Sequence, residues 1–162
     1  MGDIYVRIDD RLIHGQTIVA WCPTLGIKEI VAVDDISAKN PMLKNIMTMS
    51  VPSIYKTHIV TTEDAKEILS KENSGNRLLI VKTPKILCEL KEEIKGAKAV
   101  ILGNLAKQTD SIHKLAGATG IFYLSENDVE ILEQLIQAGV DVYFHQLPTS
   151  TKVTWEAFKK SI

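Results

Sequence analysis

From Arg7 to Gln16 the chain reads Arg-Ile-Asp-Asp-Arg-Leu-Ile-His-Gly-Gln, with two arginines, two aspartates and a histidine inside eight residues. A neutral imidazole can attack a phosphorus centre and later be displaced from it. Its ordinary pKa of about 6.5 leaves an unprotonated nitrogen at neutral pH. The group being transferred spreads negative charge over its equatorial oxygens, so the chemistry needs positive charge held in place. Arg11, three residues before His14, has a guanidinium that can fork across two such oxygens. Arg7 supplies a second cation. Gly15 and Gln16 follow the histidine where a helix begins, and their N–H groups with the helix dipole form an anion site. Asp9 or Asp10 can accept a hydrogen bond from the far ring nitrogen, or hold an arginine in place. A plainer reading stands beside this one: a solvated charged loop in which the two aspartates cap the helix.

Such a loop needs rigid elements on both sides. Ile4 to Ile8 alternates apolar and polar residues and predicts a first strand. Ile18, Trp21, Cys22 and Leu25 fall on one helical face, with Pro23 expected to interrupt that helix and Gly26 to close it. Residues 9–14 are therefore a strand-to-helix loop. Leu12 and Ile13 either pack under it or form a dry patch around the transferring group.

The same alternation continues down the chain. Short apolar strands are expected at Ile30–Val33, His58–Val60, Leu78–Val81, Ala99–Leu102, Ile121–Leu124 and Val140–Phe144. A helix beginning at Pro41 should turn Met42, Leu43, Ile46 and Met47 inward. Thr61 with Asp64, and Ser125 with Asp128, read as capping boxes; Thr83 reads as a cap ahead of Pro84. Residues 73–76 read as a loop, 105–119 show little periodicity, and 153–160 end the chain in a helix. Repeated β-α units predict one domain over residues 1–162, of class α/β. Its architecture is three-layer α/β/α, an open, mostly parallel sheet of about six to seven strands with helices on both faces. Ligands of such sheets bind beyond the carboxyl ends of the strands, where the 9–14 loop lies.

Composition narrows the chemistry. The 162 residues are 45% apolar and 24% charged with a net charge of -1, which gives no basic field for nucleic acid or anionic lipid. Cys22 and Cys88 stand 66 residues apart, a spacing of reduced cytosolic thiols rather than of a disulfide framework or zinc site. No HxxxH, CxxC, GxGxxG or P-loop lysine occurs, so neither a metal nor another cofactor is expected, and a nucleotide is not the expected donor. His58, His113 and His145 lack charged neighbours arranged like those of His14 and read as structural or surface residues. No apolar run reaches the roughly 20 residues of a membrane span, so a cytoplasmic protein is expected, one that docks to membrane-bound partners.

Arg7 to Gln16, followed by Trp21, closely resembles the signature of the IIB component of the mannose/fructose/sorbose family of the bacterial sugar phosphotransferase system. Ile30 to Asp35, Leu78 to Pro84, Gly103-Asn104-Leu105 and Gly139 to Pro148 resemble later segments of that family, so the likeness covers residues 4 to about 158. The resemblance implies a mixed, mostly parallel sheet with the first strand near its middle. It implies a relay in which His14 takes a phosphoryl, on Nδ1, from a phosphohistidine on a IIA domain. His14 then gives it to a sugar carried by IIC/IID membrane subunits. Arg11 matches the arginine expected at the phosphoryl, and Asp9 a carboxylate that organises the loop. The chain would work at the membrane permease as a peripheral subunit, with homo-oligomerisation left open. Thr17 and Asn104 stand where family members more often have Val and Gly.

Two other classes compete. A histidine phosphatase or mutase also uses arginine, histidine and glycine, but there the arginine directly precedes the histidine, and here Leu12 and Ile13 intervene. A non-catalytic α/β regulatory module would keep the fold with a broken motif, and the motif is intact.

Overall fold

The computed structural model describes residues 2–72, 74–115 and 119–162. Position 73 of the expected 73–76 loop, and residues 116–118 of the aperiodic stretch, lie outside the described residues. In chain order the elements are β1 (Ile4–Asp9), α1 (Gly15–Leu25), β2 (Ile27–Val33), α2 (Asp35–Ala38), α3 (Pro41–Met49), β3 (Lys56–Val60), α4 (Thr62–Ser70) and β4 (Asn76–Val81). A 3-10 helix (Pro84–Leu90) then leads to β5 (Ala99–Asn104), β6 (His113–Lys114), β7 (Tyr123–Leu124), α5 (Glu126–Gln137), β8 (Asp141–Phe144), β9 (Val153–Thr154) and α6 (Trp155–Ser161).

Continuous apolar runs suit strands covered on both faces. Ile30 to Val33 and Val100 to Leu102 are 0% exposed, and Leu78 to Val81 at most 1%. These strands join a seven-stranded sheet in the order β3-β2-β4-β1-β5-β8-β9. Every pairing is parallel except β8 with β9. The pleat divides the core. Val6, Ile8, Val31, Leu79, Val100 and their alternates pack under α4, the 3-10 helix, α5 and α6. Ile30, Ala32, Leu78 and Ile80 pack under α1 with Ile18 and Cys22. The sheet therefore has helices on both faces and forms the expected three layers. β1 is its fourth strand. The chain leaves β1 through α1 toward β2 on one side, and later passes from β4 to β5 on the other. The carboxyl end of β1 is thus the point where connections diverge, the usual place for a ligand in such sheets.

Several local expectations change. Pro23 does not interrupt α1, which runs on to Leu25 and ends at Gly26 with φ 65. A proline in the last turn removes one hydrogen bond and leaves the preceding turns intact. The strand expected at Ile121–Leu124 is reduced to β7, which pairs antiparallel with β6 in a separate two-stranded sheet. The seventh place in the main sheet goes to β9, two residues long. Thr83 makes no side-chain cap, and the segment after it is a 3-10 helix, although Leu87, Leu90 and Ile94 are buried as expected. The helix begun by Pro41 forms but fully buries none of its residues: Leu43 and Met47 are half-buried, Met47 against the core under α1, while Met42 is 74% and Ile46 59% exposed. Ser125 and Asp128 complete both bonds of a capping box, whereas Thr61 accepts from the Asp64 N–H.

Candidate functional site

The last residues of β1 alternate between the two faces, so Arg7 and Asp9 both point to the side of α1. Both are 1% exposed. A buried guanidinium needs partners, and Arg7 finds them in the segment after β8. Its Nη1 donates to the His145 carbonyl (3.1 Å) and its Nη2 to the Gln146 carbonyl (2.8 Å). Trp21 of α1 donates to the same Gln146 carbonyl at 2.9 Å, and its ring lies 5.3 Å from the Arg7 guanidinium carbon. Gly103 in β5 leaves the room: a Cβ there would sit 2.3 Å from that carbon. Burial pulls the Arg7 pKa down to about 10 against the favourable charge of Asp9, so the group remains a cation at neutral pH.

After Asp9 the chain turns sharply. Leu12 takes φ 61, the only positive φ at a non-glycine residue among the described residues, and its N–H donates to the Asp9 carbonyl (2.9 Å). A leucine in this conformation is strained and is held by its surroundings. The turn folds Arg11 back onto Asp9. Oδ1 accepts from the Arg11 backbone N–H and Nε, both at 3.0 Å, and Oδ2 accepts from Nη2 at 2.9 Å. Thr17 Oγ1, on the first turn of α1, lies 3.4 Å from the same Nη2. The Arg11 pKa is raised, chiefly by its hydrogen bond to Asp9, and its side chain is 35% exposed. It is a fixed cation with part of its fork facing out.

Asp10 turns the other way. It accepts from Asn104 Nδ2 and from the Ala106 N–H, and its own N–H donates to the Asn104 carbonyl. The carboxylate thus fastens the loop to the end of β5. Of the two roles open to Asp9, holding an arginine is the one seen. Neither aspartate caps α1.

The N-cap of α1 is His14 itself, at φ -126 and ψ 119, with its carbonyl accepting from Ile18 and no side-chain cap. The first turn carries no acidic residue, so its positive end is unneutralised and the N–H groups of Gly15 and Gln16 have no helical acceptor. The imidazole is partly exposed, with Nδ1 covered and without a hydrogen-bond partner among the described residues.

The structure therefore gathers Asp9, Arg11, Arg7 and the start of α1 into one continuous arrangement, with Asp10 anchored beside it. Leu12 and Ile13 are 2% and 8% exposed and pack with Ile18 and Cys22. They form the floor of the loop and not an exposed patch. His58 is bonded to Glu29, His113 to Glu126 and His145 to the Ser150 carbonyl. Cys22 is buried, and burial pushes its thiol up to about 12. Among the described residues no group of three or more His, Cys, Asp and Glu side chains is placed as metal ligands would be. Thr17 is the contributor that sequence reasoning passed over. Its position three residues beyond His14, on the first turn of α1, was the available signal. The His145 and Gln146 carbonyls are backbone groups and carry none.

Comparison with known proteins bears on the family and the fold. The model of the sorbose-subfamily IIB component of the PTS system matches residues 4–161. A probable phosphotransferase enzyme IIB component of Streptococcus pyogenes serotype M6 is 28% identical over 152 residues, 91% of this chain and 93% of the relative. The N-acetylgalactosamine-specific phosphotransferase enzyme IIB component 1 of Escherichia coli is 28% identical over 154 residues, 92% of this chain and 93% of the relative. The crystal structure of manxB from Thermoanaerobacter tengcongensis superposes with a TM-score of 0.84 at 28% identity, covering 99% of this chain and 96% of that one.

Proposed function

The chain belongs to the sorbose subfamily of IIB components of the sugar phosphotransferase system, and from that premise we propose that His14 is the residue on which it carries the phosphoryl. Its role is phosphoryl transfer in sugar uptake, and it is a phosphotransferase. The observation that supports His14 is its place at the N-cap of a helix without first-turn acids, a helix whose Thr17 is reached by Arg11, which Asp9 pins on two nitrogens.

In this reading the donor is a phosphohistidine on a IIA domain. The Nδ1 lone pair of neutral His14 attacks phosphorus, the donor's P–N bond breaks, and its electron pair returns to the donor imidazole. Rotation of the His14 side chain uncovers Nδ1 for the attack. The outward N–H groups of Arg11 and the N–H groups of Gly15 and Gln16 hold the equatorial oxygens. In the second step a hydroxyl of a sugar held by IIC/IID membrane subunits attacks phosphorus, the P–N bond breaks with its electron pair returning to the His14 imidazole, and the hydroxyl proton is released to solvent. Arg7, inside the molecule, acts through Asp9 on the position of Arg11 rather than on the phosphoryl. Residues 1–162 work as one domain on the cytoplasmic side, docked to the permease; among the described residues no helix is long and apolar enough to cross a membrane.

The test is direct. Incubation with a phosphorylated IIA domain should place a single acid-labile, alkali-stable label on the chain, and none on His14→Ala. Full labelling of that variant would refute the assignment. Arg11→Ala should still label, about 10²–10³ times more slowly.

A further inference from the structure

At the opposite edge of the sheet, away from His14, the amino ends of β2, β3 and β4 meet the end of α4 around an open cleft of about 460 Å³. Strand register assembles it: Glu29 pairs across the sheet with Lys56 on one side and Arg77 on the other, and Val31 with His58. Glu29, His58 and Arg77 lie on the α4 face of the pleat, as their neighbours Val31 and Leu79 do. Lys28 and Lys71 complete the lining on its basic side.

The charges there do not balance. Glu29 is shared by the Arg77 guanidinium, His58 Nε2 at 2.8 Å and Lys56 Nζ at 3.9 Å. Glu72 is the other carboxylate of the lining. Lys71 has a looser partner in Glu67, at 3.7 Å, and among the described residues Lys28 forms no ion pair within 4 Å. Lys28, Lys56, Lys71 and Arg77 thus face two carboxylates in the cleft, with His58 able to add a further positive charge. The end of a helix ordinarily repels anions. Here the buried Arg77 covers it, its Nη1 donating to the Leu69 and Lys71 carbonyls at 3.5 and 2.9 Å. The side chain of Lys28 lies against Gly75, where a Cβ would come within 2.5 Å of its Cγ, so that lysine is held along the rim. Lys56 is 75% exposed and its ammonium already leans toward the cleft, 3.9 Å from Glu29.

We propose that this cleft is a second anion site that binds a small phosphomonoester of about hexose phosphate size, separate from the His14 loop. The cations are spread over three strands and a helix end, which suits one compact dianion with a polar body and not an extended polyanion. The cleft is larger than phosphate alone requires, and its mixed polar and apolar lining leaves room for a hydroxylated carbon skeleton.

Glucose 6-phosphate is the probe, with glucose as the uncharged control, titrated at low ionic strength while backbone amide shifts of the ¹⁵N-labelled chain are followed. Saturable shifts at Lys28, Lys56, Ser74 and Gly75, with none from glucose, are the expected result. Lys28→Gln and Lys56→Gln, both at exposed positions, should each weaken binding about five- to tenfold with unchanged thermal unfolding, and 0.3 M salt should weaken it further. His14→Ala should bind as the parent does, which keeps this result independent of the phosphoryl-carrier reading. Shifts confined to residues 9–17, equal response to glucose, no saturation by 10 mM, or unaltered binding by the two lysine variants would each overturn the proposal.

Discussion

The carboxylate of Asp9 lies between two guanidinium groups, 2.9 Å from Nη2 of Arg11 and 3.6 Å from Nη2 of Arg7. One arginine is buried and tied to the segment after β8; the other is partly exposed and reaches Thr17 on the first turn of α1. Asp9 therefore transmits the rigidity of the sheet to Arg11, the cation proposed to hold the phosphoryl.

Asp9→Asn should damage both ends of this arrangement. Breaking a buried ion pair on one side typically costs about 3–5 kcal/mol, and the already desolvated Arg7 would lose its counter-charge. A loss near the lower limit is expected because Arg11 is partly solvated. Labelling of His14 by a phosphorylated IIA domain should slow about a hundredfold. Chemical denaturation and labelling rates measure the two effects. Arg11→Lys separates them: it should keep nearly full stability, yet transfer slowly, because an ammonium cannot fork onto the carboxylate and still face the phosphoryl. Normal transfer by Asp9→Asn would mean that Arg11 needs no pinning.

Gly103→Ala tests the space around Arg7. The added methyl would stand 2.3 Å from the guanidinium carbon, so either β5 or Arg7 has to move. Overpacking of this kind costs about 1–3 kcal/mol. The variant should melt several degrees lower and label more slowly than the parent. A melting temperature within one degree of the parent would show that Arg7 shifts freely.

Leu12 offers a test of backbone strain. At φ 61 a Cβ is disfavoured by about 1–2 kcal/mol relative to glycine, and the side chain is also buried. Leu12→Gly and Leu12→Ala lose nearly the same apolar contact, so their difference isolates the backbone. Leu12→Gly should be the more stable by about 1 kcal/mol, the reverse of the usual order, with both less stable than the parent. Equal denaturation midpoints for the two variants would remove strain from the account of this turn.

The fold was legible where local chemistry and burial agree. Ile30 to Val33 and Leu78 to Val81 announce strands covered on both sides, and Ser125 with Asp128 announces the start of α5. The α3 segment shows the limit of periodicity. Pro41 with Met42, Leu43, Ile46 and Met47 predicts a helix with an apolar stripe, but spacing does not say how much of the stripe meets this chain's own core; here Met47 packs against it and Met42 and Ile46 face outward. β9 carries no sequence signal because two residues have no period, and the apolar run Ile121–Leu124 predicts a sheet strand without revealing its pairing partner. At the site, the motif gave the loop and the cluster of charges. The division of labour among those charges depends on the backbone carbonyls of His145 and Gln146 and on the turn at Leu12, which no side-chain pattern encodes.

The pH dependence of stability should carry a signature of Glu29, at the amino end of β2. Burial pushes its carboxyl up, but hydrogen bonds from His58 and Arg77, with the charge of Arg77, outweigh that and leave it below its ordinary value. A carboxyl with a depressed folded pKa stabilises the native state above its unfolded pKa of about 4.3 and loses that contribution as pH falls through the folded value. The parent should therefore lose stability steadily on acidification from about pH 5 downward. Glu29→Gln should be less stable than the parent at pH 7 and should show a shallower decline over the acid range, so that the two denaturation curves converge at low pH. A gap between parent and variant that stays constant from pH 7 to pH 3 would show that the side chain stabilises by shape alone and not by its charge.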